Sequence, residues 1–349
     1  MPVPQSAAMH PIRLTVLLSL ALATIGGLST CGGGGVSPSP PPPRQTAMVY
    51  EVRAPDASDG WVWRADITGR HPVRLTRGRA PVISPDGQSV AFIRYQANPA
   101  VWSVWTTDLD GATPRQVFTR NGNFTDGILS ITWSPDSRRL AVLDAHGLSA
   151  VDRDGTHTTR LVDEVIAGEP VSFSPDSTRI AYADETSGRI FVVPAAGGPA
   201  SPITTGPRDY APAWGTTSIA FARWPAPGRP GDVWLVQPDG AGLHRLTRTN
   251  TGIQPVGFSA DGRRLIAQNP ANHNGRIWAV DTQTGSAHDL TGWVGDLFPV
   301  GISHDGNSIL AGLGCGGVPT NTGLIEVIAA TGGPPAIISR GPCRASWNA

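Results

Sequence analysis

The chain carries no surplus of basic side chains: 27 Lys and Arg are matched by 27 Asp and Glu. A nucleic-acid binder ordinarily needs a positive excess to displace counterions from phosphate, so nucleic acid is not expected as a partner. The motifs of several enzyme classes are missing as well. There is no G-x-S-x-G elbow, no H-E-x-x-H pair, no P-loop and no dinucleotide fingerprint. Gly314-Cys315-Gly316 lacks the spacing of a nucleophile elbow. The eight histidines are scattered, with no close His/Cys cluster of metal-ligand spacing, so no metal and no cofactor is expected. The body also lacks any long segment of clean 3.6-residue apolar periodicity, which argues against helices.

What is present points to strands. The 349 residues include 42 Gly and 33 Pro, only 15% are charged, and Val, Ile, Thr and Trp recur in short runs. Gly and Pro supply turn dihedrals that helices exclude, so the composition suits many short strands joined by tight turns.

Residues 1–31 contain no Asp or Glu, and His10 and Arg13 precede an apolar run from Leu14 to Leu28. A run of this length after a weakly positive start fits a secretory signal better than a membrane span. It ends in Leu28-Ser29-Thr30-Cys31, which resembles a bacterial lipobox and implies acylation of Cys31. A soluble secreted protein with Cys31 incidental is the alternative. Residues 32–45 then read GGGGVSPSPPPPRQ, with nothing to build a core. Gly-rich chain is flexible and Pro-rich chain extended, so this segment is expected to be a tether between a surface and a domain at 46–349. Cys315 and Cys343 remain, and an oxidising compartment would permit a disulfide between them.

From residue 46 onward one unit recurs. An apolar or aromatic residue leads into a Ser-Pro-Asp-Gly-like turn and an alternating strand: Ile83-Ser84-Pro85-Asp86-Gly87 before SVAFIR, Trp133-Ser134-Pro135-Asp136-Ser137 before RLAVLD, Phe173-Ser174-Pro175-Asp176-Ser177 before RIAYAD. Weaker copies begin at Trp214, Phe258 and Ile302, and each copy continues into a second pair of strands. The period of about 40–50 residues with four strand-like segments matches a propeller blade. Six complete copies run from about Arg79 to Arg340. Two fragments are left over. TAMVYEVR (46–53) resembles a second strand, and Gly341 through Trp347 aligns with a first strand. Together they predict a seventh blade that the C-terminus completes, with six blades as the alternative. The expected fold is therefore an all-β propeller of four-stranded antiparallel blades.

The repeated S-P-D-G before an I-A-F-like strand resembles the TolB family of periplasmic propellers, across essentially all of 46–349. The resemblance implies an exported propeller and does not single out one function. That family's own propeller has six blades and a preceding α/β domain, where this chain counts seven blades and a Pro-rich tether.

Asp86, Asp136, Asp176, Asp261 and Asp305 tempt a reading as a carboxylate ring. Their place in turns argues instead for capping of backbone N–H groups. Asp108-Leu109-Asp110-Gly111 and Asp152-Arg153-Asp154-Gly155 lack the further ligands of a calcium loop and read as hairpin turns. His273 and His304 fall in loops. Partner contacts are expected where loops enter first strands or join second to third strands, because a rigid scaffold holds those loops at one end of the channel. The candidates are Arg79, Asp126, Glu169, Arg208, Asp209, Tyr210, Trp224, His273, Trp293 and Asp296.

The function expected is a non-catalytic envelope scaffold that binds a protein or peptide as a monomer. It would touch the membrane only through its lipid, at the periplasmic face of the outer membrane or the cell surface. A lyase- or hydrolase-type propeller enzyme with residues converging on the channel is the first alternative, and a glycan or small-ligand sensor the second.

Overall fold

The computed structural model describes residues 47–52, 59–66, 69–123, 127–163, 170–184, 186–206, 208–227, 229–249, 251–269, 276–291, 297–302, 308–313, 324–329, 336–340 and 342–347. All lie within the second of two units, Pro43–Ala349. The signal, Cys31 and the tether fall outside the described residues.

Every regular element described is a strand, as the composition requires. The strands form seven four-stranded antiparallel sheets. The first sheet comprises β1 (Met48–Val52), β2 (Trp61–Ala65), β3 (Val73–Arg77) and, beyond β1, the last strand of the chain. The second sheet runs β4 (Arg79–Ile83), β5 (Ser89–Ala97), β6 (Ala100–Asp108), β7 (Arg115–Asn121). The third is β8 (Ile128–Trp133), β9 (Arg139–Asp144), β10 (Gly147–Asp152), β11 (Thr158–Val162). The fourth holds β12 (Ser172–Phe173), β13 (Arg179–Asp184), β14 (Arg189–Pro194), β15 (Ser201–Pro202). In the fifth are β16 (Asp209–Trp214), β17 (Ile219–Arg223), β18 (Asp232–Val236), β19 (His244–Arg245). The sixth has β20 (Gln254–Phe258), β21 (Arg264–Asn269), β22 (Arg276–Asp281), β23 (Ala287–Asp289). The seventh has β24 (Leu297–Ile302), β25 (Ser308–Leu313), β26 (Leu324–Ala329), β27 (Ala336–Arg340).

The last strand, β28 (Pro342–Trp347), pairs antiparallel with β1, placing Met48 opposite Trp347 and Glu51 opposite Arg344. This is the pairing the leftover fragments predict. It covers an edge that would otherwise offer unpaired N–H and C=O groups.

A single four-stranded sheet cannot bury both of its faces, so neighbours must supply the core. Apolar clusters accordingly sit between sheets. Trp102, Val104 and Val117 of the second sheet meet Ile131, Trp133 and Leu140 of the third. Leu143 and Leu148 meet Phe173 and Ile180, and Ile190 meets Trp214 and Phe221. Leu310 of the seventh sheet packs with Met48 and Tyr50 of the first.

The outer strands β15, β19 and β23 are short because a hydroxyl takes over their pairing. Thr204, Thr247 and Thr291 accept the amides of Ile190, Val233 and Ile277 at 3.0, 3.0 and 3.2 Å. All three threonines are buried, so the bond satisfies a backbone donor that water cannot reach.

The Ser-Pro-Asp turns also fasten sheet to sheet. In the first such turn Gly87 has φ +68°, the conformation that glycine adopts without cost. Ser137 and Ser177 occupy the same position with φ +60° and +62°. Each hydroxyl compensates by accepting the amide of the Asp in the preceding turn: Asp86 N–H to Ser137 Oγ at 2.9 Å, and Asp136 N–H to Ser177 Oγ at 3.0 Å. Left-handed strain costs a non-glycine residue about 1–2 kcal/mol, and a hydrogen bond contributes about 0.5–1.5 kcal/mol. Ser137→Ala is therefore expected to destabilise by about 1–2 kcal/mol, while Ser137→Gly stays within about 0.5 kcal/mol of the parent because relief of strain offsets the lost bond. Urea midpoints of the two variants check this: an unchanged Ser137→Ala would remove the sheet-to-sheet role, and equal destabilisation by both would remove the strain.

Candidate functional site

The two ends of the sheet assembly differ in chemistry. One end carries the Ser-Pro-Asp turns together with the hairpins joining third to fourth strands. The other carries the loops that enter first strands and join second to third strands, and is called the loop end here.

At the turn end the aspartates do the capping that the sequence implies. Ser84 Oγ donates to Asp86 at 2.5 Å, and the Gln88 amide donates to the same carboxylate at 3.0 Å. Ser134 to Asp136 and Ser259 to Asp261 repeat the arrangement at 2.6 Å. Burial, the largest single influence on Asp86, pushes its carboxyl up. The bonds from Ser84 and Gln88 and the Arg153 guanidinium outweigh it, so the net shift is downward. Asp176, open to water, is lowered to about 2, chiefly by the Ser174 hydroxyl.

A carboxyl whose pKa is lower folded than unfolded adds stability above its unfolded value, near 4, and loses it as pH falls through the folded value. The turns should therefore weaken between about pH 4 and pH 2, by a modest amount because Asp176 is well solvated. Carboxyl titration by NMR should place Asp176 near 2. Ser174→Ala should move it up toward the ordinary range, and an unmoved value would deny the hydroxyl its part.

The turn end also encloses a polar cavity of about 1330 Å³ between the second, third and fourth sheets. Arg153 spans it, donating from Nη1 to Asp86 at 2.9 Å and from Nη2 to Ser89. Aspartates and arginines share its wall, with Arg139 3.4 Å from Asp152. The sequence showed the turns but not this hollow, because it forms between copies of the repeat.

At the loop end, four of the sequence candidates come together. Arg208, Asp209, Tyr210 and Trp224 sit around the open end of the β16–β17 pair, where Asp209 lies opposite Arg223. The Trp224 amide donates to the Arg208 carbonyl at 3.0 Å. Tyr210 is half-buried. Trp224 is half-buried too, and its Nε1 has no hydrogen-bond partner.

Asp209 corrects the expectation of a surface contact. It is fully buried, and its carboxylate accepts Arg223 Nε at 2.7 Å and Nη2 at 2.8 Å. A carboxylate with no solvent exposure needs such a fork to offset its lost hydration, so Asp209 positions the loop and does not itself meet a partner.

Arg79 lies in a second cluster, on the second sheet. Its guanidinium stands 5.3 Å from the Trp102 ring, and Trp102 in turn packs against Tyr95 with ring centroids 4.7 Å apart. The Tyr95 amide donates to both Asp59 oxygens at 3.2 and 3.3 Å, and burial raises the Asp59 carboxyl against the pull of that amide and of Arg79. Buried Glu51 accepts the Ala80 amide at 2.9 Å, beside Arg79. Asp126, Glu169, His273, Trp293 and Asp296 lie outside the described residues, as do His304, Asp305, Cys315 and the side chain of Cys343.

Reading candidates loop by loop misses Glu51 and Asp59, and it places Arg94 and Arg223 at the start of loops joining second to third strands without singling out either. A signal for the two arginines was present in the repeat. Both close the repeated segments SVAFIR and SIAFAR, two residues after a Phe, although β5 continues three residues past Arg94. Arg94 stacks 5.1 Å from Phe92 and 4.3 Å from Trp105, and Arg223 stacks 5.3 Å from Phe221 and 4.7 Å from Trp234. All 27 basic residues of the chain are Arg, whose planar guanidinium suits stacking as a lysine ammonium does not. Among the described residues no group of three or more His, Cys, Asp or Glu could hold a metal ion.

Seven four-stranded antiparallel sheets that bury apolar residues between neighbours have the architecture of a β-propeller. The chain belongs to the family of the TolB beta propeller domain, PD40, whose model matches residues 45–298. No curated protein sequence matches it. Among solved structures it is similar to TolB from Acinetobacter baumannii, with TM-score 0.53 and 15% identity, covering 86% of this chain and 66% of that one. It is similar to an oligogalacturonate lyase in complex with manganese, with TM-score 0.59, 16% identity and coverage of 85% and 86%. It is also similar to the β-propeller domain of the Trilobed protease from Pyrococcus furiosus, with TM-score 0.61, 13% identity and coverage of 86% and 96%. At these identities the likeness shows the fold. The chain spans about two thirds of the Acinetobacter TolB chain.

Proposed function

We propose that this propeller is a non-catalytic recognition module for an envelope protein or peptide, with the partner seated at the loop end. The observation that carries the reading is the pair of half-buried groups there, Arg79 and Tyr95 backed by buried Trp102, and Arg208 and Tyr210 beside Trp224. Arg, Tyr and Trp held rigid by buried carboxylates lose little entropy on binding, which is why such residues dominate the energetics of protein interfaces. We read the seven sheets as seven blades, with β28 closing the first. We further propose that the chain is exported and held at the periplasmic face of the outer membrane or the cell surface by lipid on Cys31.

A photo-crosslinking residue at Tyr210, with one at Arg138 of the turn end as control, tests the site in the full-length protein. The reading expects one envelope protein joined at Tyr210 and none at Arg138, and loss of that adduct in Arg79→Glu. Turnover of a polysaccharide or peptide library, with no adduct at either position, would replace it with an enzymatic one. Cys31→Ala is expected to shift the protein from the membrane to the soluble fraction, and unchanged sedimentation would reject the anchor.

A further inference from the structure

We infer that the outer edge of the first sheet is a docking surface for the headgroups of an anionic phospholipid bilayer, carried by Arg70, Arg74 and Arg77 beside Trp61. Such docking presupposes the membrane anchor proposed at Cys31 and is independent of the partner at the loop end. β3 is the outermost strand of its sheet, so residues 73–77 run along an open edge.

Two guanidiniums there share one ring. Arg77 stands opposite Trp61 in the register and Arg74 opposite Trp63, and their Cζ atoms lie 4.8 and 4.3 Å from the centroid of the Trp61 ring. Like charges held so close repel each other, and an anion laid over both removes that cost. Arg70, Arg74 and Arg77 are all exposed, and among the described residues no carboxylate forms an ion pair with any of them. The acids nearby are engaged elsewhere. Asp110 lies 3.8 Å from Arg64, and Asp66 accepts the Arg70 amide at 2.9 Å and sits 3.2 Å from His71. On the outer strands β11 and β19, by contrast, Arg160 is paired with buried Asp144 and Arg245 with buried Asp232.

The edge is held firm from behind. Arg94 of β5 donates from Nε to the Arg77 carbonyl at 3.0 Å and from Nη2 to Thr76 Oγ1 at 2.7 Å, and Leu75 packs into the core shared with the second sheet. Val73, 40% exposed, is the one large apolar side chain that stands open among the described residues. An aliphatic and an aromatic side chain among unpaired arginines suit a headgroup layer, where the cations meet phosphodiesters and the apolar groups enter the interface.

The course of the chain favours a bilayer over a soluble acidic protein. Met48 pairs with Ala65, so the chain enters this sheet at the end where the β2–β3 hairpin bears Arg70 and Val73. Residues 32–45 reach at most about 45 Å when fully extended. Lipid on Cys31 would keep the edge within that distance of headgroups, and the high effective concentration lets three weak charges act together.

Flotation of the chain from Gly32 onward tests this, since it lacks the acyl anchor and keeps the whole unit Pro43–Ala349. It should bind vesicles of mixed phosphatidylglycerol and phosphatidylcholine, and not vesicles of phosphatidylcholine alone. Binding should vanish in about 1 M salt, where the Debye length falls to about 3 Å. Arg74→Gln with Arg77→Gln should weaken it about thirtyfold, from about 1 kcal/mol for each basic residue at an anionic surface. Arg138→Gln with Arg189→Gln removes the same charge from exposed positions on other sheets, and should leave binding within about twofold because those charges are screened from the bilayer. All four side chains are exposed, so both double variants should melt as the parent does. Sedimentation of Cys31→Ala tests the anchor separately, so either result can fail alone. No binding to the anionic vesicles, equal binding to the neutral ones, an undiminished Arg74/Arg77 variant or an equal loss in the control pair would each overturn the assignment. Capture by polyglutamate in place of the vesicles would also overturn it and give the edge to an acidic protein.

Discussion

Removal of residues 341–349 is expected to abolish the cooperative melt of the native protein, or to lower its stability by roughly 5 kcal/mol and cause aggregation. The loss has two parts. Five register pairs between β28 and β1 disappear, from Met48–Trp347 to Val52–Pro342. At about 1 kcal/mol per backbone hydrogen bond their loss alone is a large fraction of the 5–15 kcal/mol that holds a domain together. Met48 and Val49, fully buried in the intact protein, then lie on an open edge strand. β28 also touches β24, β25 and β26 on one side and β4 on the other, so the first, second and seventh sheets lose a shared neighbour. Differential scanning calorimetry and size-exclusion chromatography of the truncated chain measure both effects. A truncated protein that melts as the parent does, and stays monodisperse, would mean that the ends are held by some other contact.

Asp209→Ala is expected to cost about 3–5 kcal/mol, because it leaves the Arg223 guanidinium charged, largely buried and unpaired. Arg223 has nowhere to go. It is clamped between the Phe221 and Trp234 rings, and even a methyl at Gly206 would stand 2.5 Å from its nitrogens. The double variant Asp209→Leu with Arg223→Met should recover most of the loss, since replacing a whole buried pair with apolar groups of similar volume is often neutral. Chemical denaturation of the three variants gives the cycle. A single-variant loss below about 1 kcal/mol would show that water reaches the guanidinium and that the pair does not set the loop. The same experiment separates structure from recognition at the loop end. Arg208 and Tyr210 can be changed there with little effect on stability, whereas Asp209 cannot.

Several features were legible before any coordinates. The all-β class followed from turn-forming Gly and Pro around short runs of β-branched residues, and the family from the Ser-Pro-Asp-Gly repeats. The pairing of the C-terminal strand with TAMVYEVR could be read because a three-strand fragment lacking its first strand and a lone first strand have one way to make a whole unit. The turn role of Asp86, Asp136 and Asp176 was also legible, since Ser two residues before Asp and a positive φ one residue after it form a local unit.

Other features were hidden because they arise between copies of the repeat. Ser137 and Ser177 look like poor substitutes for Gly until the amide of the neighbouring turn is seen at their hydroxyls. Asp209 appears as one more charged loop residue, and its burial depends on Arg223, fourteen positions away and opposite it in the sheet. Arg120 and Arg160 belong to different sheets, and no spacing in the chain announces that they share Asp144.

The sequence by itself determined the strands, their turns and the order in which they repeat, because those depend on residues within a few positions of one another. Tertiary structure alone decided which charges are withdrawn into ion pairs and which face a groove. That outcome depends on how closely two sheets approach, and the approach is set by side chains some forty residues apart in the repeat.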